Sequence, residues 1–261
     1  MAVAEHGLTF CILHGRRQMS RMVWLAAVLA LVMTVRVGAQ EILAGCNAEF
    51  PPFEMTDDNN EIIGFDVDIV KAVGKAAGMD VRMHHQSFDT LIPSLDVGRL
   101  DVVISGMTIT DARLEKVEFS DPYYNAAQVV VVRKGDEADN TMDAIKGKVV
   151  GVQLGTTGAV MSEQAMGENN MNLKQYRHYN EAFADLGHGR LDAIVVDLPV
   201  AQAYLRKLDG LVISSEPMSE EQYGIAIKKG NLELLGKINQ GLKAIRESGE
   251  YDRIVDKWFQ E

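Results

Sequence analysis

Apolar positions along the chain change period several times, and each change marks an element. A short apolar run over 41–46 predicts a strand, closed by Pro51-Pro52, which lack the N–H groups a ladder needs. Asp57-Asp58-Asn59-Asn60 reads as a turn. Phe65, Ile69, Val70 and Val73 then recur at helical spacing. Asp66 and Asp68 sit in the first turn, where acids suit the helix dipole, and Gly78 is the stop. A strand over 79–83, a helix over 90–97 and a buried-type strand over 101–105 follow. The pattern then restarts. Strands are predicted over 128–133, 148–152, 173–176 and 193–196, helices over 158–166 and 181–188, and a polar turn over 134–142. A further crossing over 223–227 leads into an amphipathic helical stretch over 232–259.

Alternating strands and helices are the mark of sheets covered by helices on both faces. The expectation is an α/β protein of two lobes, with two mixed, mainly parallel sheets flanked by helices. Residues 40–124 plus 224–261 form the first lobe and 125–223 the second, joined by a two-strand hinge. No short-period repeat or low-complexity linker occurs, which excludes a solenoid.

Residues 1–39 follow a different rule. Arg16, Arg17 and Arg21 precede an uninterrupted apolar run over 22–33, and Val37-Gly38-Ala39 supply the small residues an export peptidase reads. A membrane-spanning helix needs about 20 apolar residues, and Arg36 closes this run sooner. A secretory signal peptide cut near Ala39 is expected, with Met19 as an alternative start. Removing the segment's four arginines and one glutamate leaves 22 basic and 36 acidic residues, so the net charge moves from −11 to −14. So acidic a surface disfavours nucleic acid and anionic membrane as partners. Cys11 leaves with the leader, and Cys46 alone can form neither an intramolecular disulfide nor a cysteine metal cluster. Leu43-Ala44-Gly45-Cys46 is similar to a lipoprotein cleavage box, but Arg36, Gln40 and Glu41 separate it from the apolar run. Cutting there would also remove most of the first strand, so an unanchored periplasmic protein is the preferred reading.

Candidate chemistry clusters where strands end. Gly106-Met107-Thr108-Ile109-Thr110-Asp111-Ala112-Arg113 follows a buried strand, the place where α/β sheets bind ligands. Gly106 would let backbone approach a ligand, and Arg113 offers a planar fork that matches a carboxylate; the plainer reading is that it solvates a helix face. Gly151 to Gly158 repeats the strand–glycine–helix order, with Gln153, Thr156 and Thr157 at the turn. The lysine of a phosphate loop is absent there, which leaves a helix start suited to a carboxylate. Asp197 ends a buried strand, fit either to pair with an ammonium or to cap a helix. Phe50 and Phe88 follow strands on one edge and are candidates for stacking or for core. No nucleophile motif or metal-ligand spacing appears; His84 and His85 point to opposite faces of a strand, and His178 and His188 read as surface. No cofactor is expected.

Taken together, several strings resemble the polar amino-acid-binding family of periplasmic solute-binding proteins that serve ABC importers, solute-binding protein family 3. They run in order through essentially the whole mature chain: F-P-P-F-E from Phe50, G-F-D-V-D-I from Gly64, I-P-S-L-D-V-G-R-L-D-V-V-I-S-G-M-T-I-T-D-A-R ending at Arg113, F-S-D-P-Y-Y from Phe119, V-G-V-Q-L-G-T-T-G, L-D-A-I-V-V-D, Q-Y-G-I-A, and Y-D-R-I-V-D-K-W-F. The resemblance implies a Venus-flytrap closure around a free amino acid, handed to an ABC permease in the inner membrane by a monomeric, non-catalytic protein. It implies that Arg113 clamps the ligand carboxylate, with amides around Thr108 and with Thr156 or Thr157. Asp197 takes the ammonium with Ser105 and Gly106, and Phe50 and Phe88 sandwich the side chain. Cation-binding relatives commonly carry an acid at the position of Asn47. Glutamine-binding relatives carry Lys and His at those of Gln153 and Val196. The expectation is therefore a neutral polar ligand, with glutamine as the leading case, held through Asn47 and Gln153. Two rivals follow from the same resemblance: a cyclohexadienyl or arogenate dehydratase-like enzyme, for which Glu54 is a candidate acid, and the sensor module of a receptor.

Overall fold

The computed structural model describes residues 40–137, 142–167 and 170–260. The leader, the cut near Ala39, the Met19 start and part of the 134–142 turn lie outside the described residues.

Two five-stranded sheets organise the molecule. The first runs Met79–His85, Gln40–Cys46, Val102–Val103, Ala226–Lys228, Val117–Phe119 from edge to edge. Gln40–Cys46 pairs in parallel with both its neighbours, and Ala226–Lys228 is antiparallel to both of its own. The second runs Leu173–Tyr176, Val150–Gln153, Ala193–Asp197, Gln128–Arg133, Leu211–Ile213. It is parallel across its first three strands and antiparallel beyond. Each sheet is thus a parallel nucleus extended by antiparallel strands. Tyr124–Ala126 and Glu221–Tyr223 pair antiparallel between the sheets as the hinge.

Period-two alternation explains the valine run. Val129 and Val131 face one hydrophobic cluster and Val130 and Val132 another, so both faces of this strand are covered. In the first lobe, helix Phe65–Ala76 turns Phe65, Ile69, Val70 and Val73 onto the sheet, where they meet Ile238, Leu242 and Ile245. Gly64 precedes it at φ 145°, and a Cβ there would lie 2.0 Å from the Phe53 carbonyl oxygen, so only glycine fits. Asp66 stands in the first turn, as expected, and is also fully buried.

Other boundaries moved for identifiable reasons. The stretch over 223–227 divides because Gly224 passes 2.9 Å, in Cβ terms, from Ile109 and Phe119. Its first part stays in the hinge and its second joins the first sheet. The final helical stretch breaks at Gly249, φ 72°, into Leu232–Glu247 and Glu250–Phe259. The strand over 101–105 pairs only at Val102–Val103 before the chain turns at Gly106, φ 49°. A small sheet of Glu49–Phe50, Glu54–Thr56 and Ile62–Ile63, the strand Leu211–Ile213 and the helix Leu198–Leu205 had no clear periodic signal. They are too short for one. Cys46 ends its strand with its thiol sealed in the core. Among the described residues, no helix is long and apolar enough to cross a membrane.

Candidate functional site

Between the two sheets lies a narrow cleft, of about 10 Å³, lined by Phe50, Phe88, Gly106, Thr108, Arg113, Gln153, Thr156, Thr157 and Asp197. It opens beside a wider groove that also borders Phe88 and Arg113. The strand ends converge here from both lobes, which is why residues so far apart in sequence meet.

Arg113 lies on the single turn Asp111–Leu114, whose start is held by the Thr110 hydroxyl accepting from the Arg113 N–H at 3.3 Å. Its Nη1 donates to the Thr108 carbonyl at 2.7 Å and its Nη2 to the Gly155 carbonyl, in the other lobe, at 3.0 Å. The guanidinium carbon stands 5.4 Å from the centroid of the Phe88 ring. Burial lowers its pKa from the ordinary arginine value, and the charges of Glu221 and Asp197 oppose that shift. Arginine keeps its charge regardless. With five donors, the fork retains N–H groups for an anion after these two bonds.

At the opposite wall the Thr156 hydroxyl caps helix Thr157–Met166, accepting from Ala159 N at 3.1 Å and donating to the Gln153 carbonyl at 2.8 Å. The Thr157 hydroxyl donates to Glu221 at 2.9 Å. Both hydroxyls are therefore spent, and what this helix start offers an anion is its unpaired backbone N–H groups.

Asp197, at the end of its strand, accepts from the Tyr223 hydroxyl at 2.5 Å. Burial, and next the charge of Glu221, push its pKa up to about 7. A cation placed beside it would restore the carboxylate.

Four of the candidate groups also bond within the protein. The Ser105 hydroxyl donates to Glu54 at 2.6 Å and accepts from Asn47 N at 2.9 Å. The Gly106 N–H donates to Asp66 at 2.7 Å, and a Cβ on Gly106 would come within 2.6 Å of the Phe50 ring. The glycine thus makes room for Phe50 while it lines the cleft. Asn47 is 1% exposed and donates to the Gln86 carbonyl at 3.2 Å. Gln153 Nε2 donates both to Asn47 Oδ1 at 3.1 Å and to the Arg177 carbonyl at 2.8 Å, tying the lobes together. These groups are occupied because each strand-end loop needs buried partners of its own.

Glu54 and Asp66 form a sealed pair behind the cleft. Burial, and then the Asp66 charge, push Glu54 well above the usual carboxylate range. Glu54 is 0% exposed and is not among the residues that line the cleft. His178 is corrected as well. It is half-buried, with Nδ1 2.8 Å from the Glu49 carboxylate of the other lobe and its ring 6.4 Å from that of His85.

The acid that sequence reading missed is Glu221. It stands on the hinge, nearly buried, and accepts from Thr108 at 2.7 Å as well as from Thr157. Gln128, at 3.5 Å from it, is also buried. Its only sequence signal was a position two residues before Tyr223, at the start of the second crossing. Among the described residues, no group of three metal-ligating side chains is gathered.

The family model for bacterial extracellular solute-binding proteins, family 3, matches residues 42–261. The chain belongs to that family. The ABC transporter arginine-binding protein 1 of Escherichia coli K12 is 38% identical over 240 residues, which cover 90% of this chain and 97% of that one. Among solved structures, an ancestral arginine-binding protein bound to arginine is 43% identical at a TM-score of 0.82, covering 85% of this chain and 99% of that one. The same type of ancestral protein bound to glutamine is 43% identical at a TM-score of 0.81, with 85% and 98% coverage. These likenesses span both lobes of the family 3 fold.

Proposed function

We propose that this protein is the extracytoplasmic amino-acid-binding component of an ABC importer, exported with its leader cut near Ala39 and working as a monomer that presents ligand to a permease in the inner membrane. Residues 40–124 plus 224–261 and residues 125–223 close as two lobes around one free L-amino acid. The ligand carboxylate lies between the Arg113 fork and the N–H groups that open helix Thr157–Met166. Its ammonium meets Asp197, and its side chain runs between Phe50 and Phe88. No step of this requires catalysis or a cofactor.

The observation that carries the reading is charge placement at opposite walls of one cleft. A half-buried guanidinium lines the cleft from the first lobe, and a buried carboxyl poised near neutrality lines it from the second. That arrangement matches a zwitterion and penalises its neutral analogues, whose binding would leave one pole unpaired.

For the side chain, two readings compete. A neutral amide such as glutamine would rely on Asn47 and Gln153, yet their amide groups are committed to Gln86, Arg177 and each other. A cation is favoured by the cleft's balance of two carboxyls, Asp197 and Glu221, against one guanidinium. The Phe50 and Phe88 rings suit a flat guanidinium, whose attraction to a ring face adds about 0.5–2 kcal/mol. Relatives described as arginine-binding support the same side. We therefore place arginine first and glutamine second. Calorimetric titration of residues 40–261 with both decides it: arginine binding at least about tenfold more tightly, or about 1.4 kcal/mol, supports the cationic reading. Tighter glutamine binding restores the neutral one.

A further inference from the structure

We propose that Glu221 is a positioning residue: from the hinge, its carboxylate draws the Thr108 loop of the first lobe and the Thr157 helix start of the second onto one oxygen, and so sets the carboxylate-binding end of the cleft only when the lobes meet. The proposal rests on the amino-acid-binding reading above and deepens it.

The geometry is specific. Glu221 Oε2 accepts the Thr108 hydroxyl at 2.7 Å and the Thr157 hydroxyl at 2.9 Å, with Gln128 Nε2 at 3.5 Å. Its other oxygen accepts from the Ser219 hydroxyl at 3.1 Å. Glu221 itself is held by hinge pairing with Ala126, so it is fixed to the crossing strands rather than to either lobe. The Thr108 loop is tied to the same strand, through a bridge to Tyr223 and through the Ile109 N–H donating to Gln222 at 2.8 Å. Thr157 has no such backbone tie to the hinge; its link is the hydroxyl. Opening the lobes therefore stretches the Thr157 bond first.

Hydroxyl chemistry explains why the carboxylate does not simply belong to the ligand site. A threonine hydroxyl has a single hydrogen. Once both hydrogens point at Glu221, the two threonines turn only lone pairs toward the cleft, which an incoming carboxylate would repel. The anion is left to the Arg113 fork and to backbone N–H groups, and those N–H groups sit on the two segments that Glu221 aligns. Glu221 thus acts on the ligand through Thr108 and Thr157, without touching it. A contact made only in the closed state favours closure by its own free energy. Breaking it should appear chiefly as faster release, because association is governed by encounter with the open form.

A residue that merely stabilised the hinge would lower the melting temperature and leave the two threonines independent of each other. The test uses residues 40–261 with arginine and glutamine as probes, calorimetry for affinity and stopped-flow for rates. Glu221→Gln is expected to weaken the better probe at least about tenfold through dissociation, with association changed less than about threefold. Thr108→Val and Thr157→Val are each expected to weaken binding about three- to tenfold with Glu221 present, and less than about twofold once Glu221→Gln is in place. Threonine effects that persist undiminished beside Glu221→Gln, or a Glu221→Gln affinity within twofold of wild type, would overturn the proposal. If Glu221→Gln does not fold, the double Thr108→Val, Thr157→Val chain decides. Non-additivity beyond twofold supports a shared oxygen, and additivity overturns it. Wild-type protein that binds neither probe nor any other common amino acid sinks the amino-acid reading and this proposal with it. Wild-type binding with unaffected variants sinks the role of Glu221 alone.

Discussion

Two pairs of buried acids sit within the same molecule and do different work. Glu54 and Asp66 lie behind the first lobe's cleft loop, with Ser105 bonded to Glu54 and the Gly106 N–H and Tyr123 hydroxyl to one oxygen of Asp66. Asp197 and Glu221 lie at the cleft itself, with Asp197 lining it and Glu221 spanning the lobes. Burial raises the pKa of Asp66 to about 6 and of Asp197 to about 7, so desolvation alone does not tell them apart. What separates them is where the remaining acceptor capacity points. The first pair is fully buried behind the cleft lining, bonded to its own loop, and serves as a strut. Asp197 lines the same cleft as the Arg113 guanidinium and can still answer a cation. A buried acid is a binding group when its last partner must come from outside.

The sharpest way to break this comparison is to neutralise one acid of each pair. Asp197→Asn should weaken amino-acid binding by about a hundredfold or more, consistent with the roughly 2–5 kcal/mol cost of unpairing a buried charge, while leaving the melting temperature unchanged or higher. Asp66→Asn should do the reverse. It perturbs the acceptor of Gly106 N–H and the Tyr123 hydroxyl, so about 1–3 kcal/mol of stability goes, seen as a lower melting temperature, with affinity changed less than tenfold. If both variants lose affinity equally, the distinction between strut and binding group fails.

Acidity sharpens the contrast next. Free Asp197 takes up its proton near pH 7, and a bound ammonium requires the carboxylate. Affinity should therefore fall as pH drops below about 7, approaching tenfold per unit because one proton is displaced per ligand. Titrations from pH 8 to pH 5 check this, and Asp197→Asn should flatten the profile. Stability runs the other way. The folded form holds the proton above the usual aspartate value of 3.8, so Asp197's contribution is full at low pH and is lost as pH rises through about 7.

A smaller effect is expected where the lobes meet away from the poles. Glu49→Gln removes the partner of His178 across the cleft. A partly exposed pair of this kind contributes about 0–1 kcal/mol, so affinity should weaken no more than about fivefold, as measured by the same titration. The smallest belongs to Glu54→Gln. A protonated glutamic acid and a glutamine are near-isosteres, so the melting temperature should stay within about 4 °C, the scale of 1 kcal/mol for a chain this size. Affinity should hold within threefold. A collapse of folding would mean that Glu54 is ionised.

Positions were more legible in the sequence than partners. The strand-then-loop order brought Arg113, Asp197, Phe50 and Phe88 to the strand ends, and those positions do line the cleft. Directions were not legible, because they depend on contacts between distant segments. Ser105 turns to Glu54 across 51 positions and the Gly106 N–H to Asp66 across 40. Asn47 and Gln153, candidate ligand groups by residue type, also meet each other across the lobes at 3.1 Å, with Gln153 lining the cleft. Glu221 was one acid among several in a polar stretch. Only the hinge pairing, with Thr108 and Thr157 arriving from either side, gives it a role. His178 read as surface because Glu49, its partner, lies in the other lobe.

The measurement that bears most directly on the account is a calorimetric titration of residues 40–261 with arginine, run beside Arg113→Ala. The account predicts one molecule bound per chain in the wild type and a loss of affinity of at least about a hundredfold in the variant, the scale expected when a buried carboxylate loses its charge-assisted fork. Wild-type affinity in Arg113→Ala would contradict it.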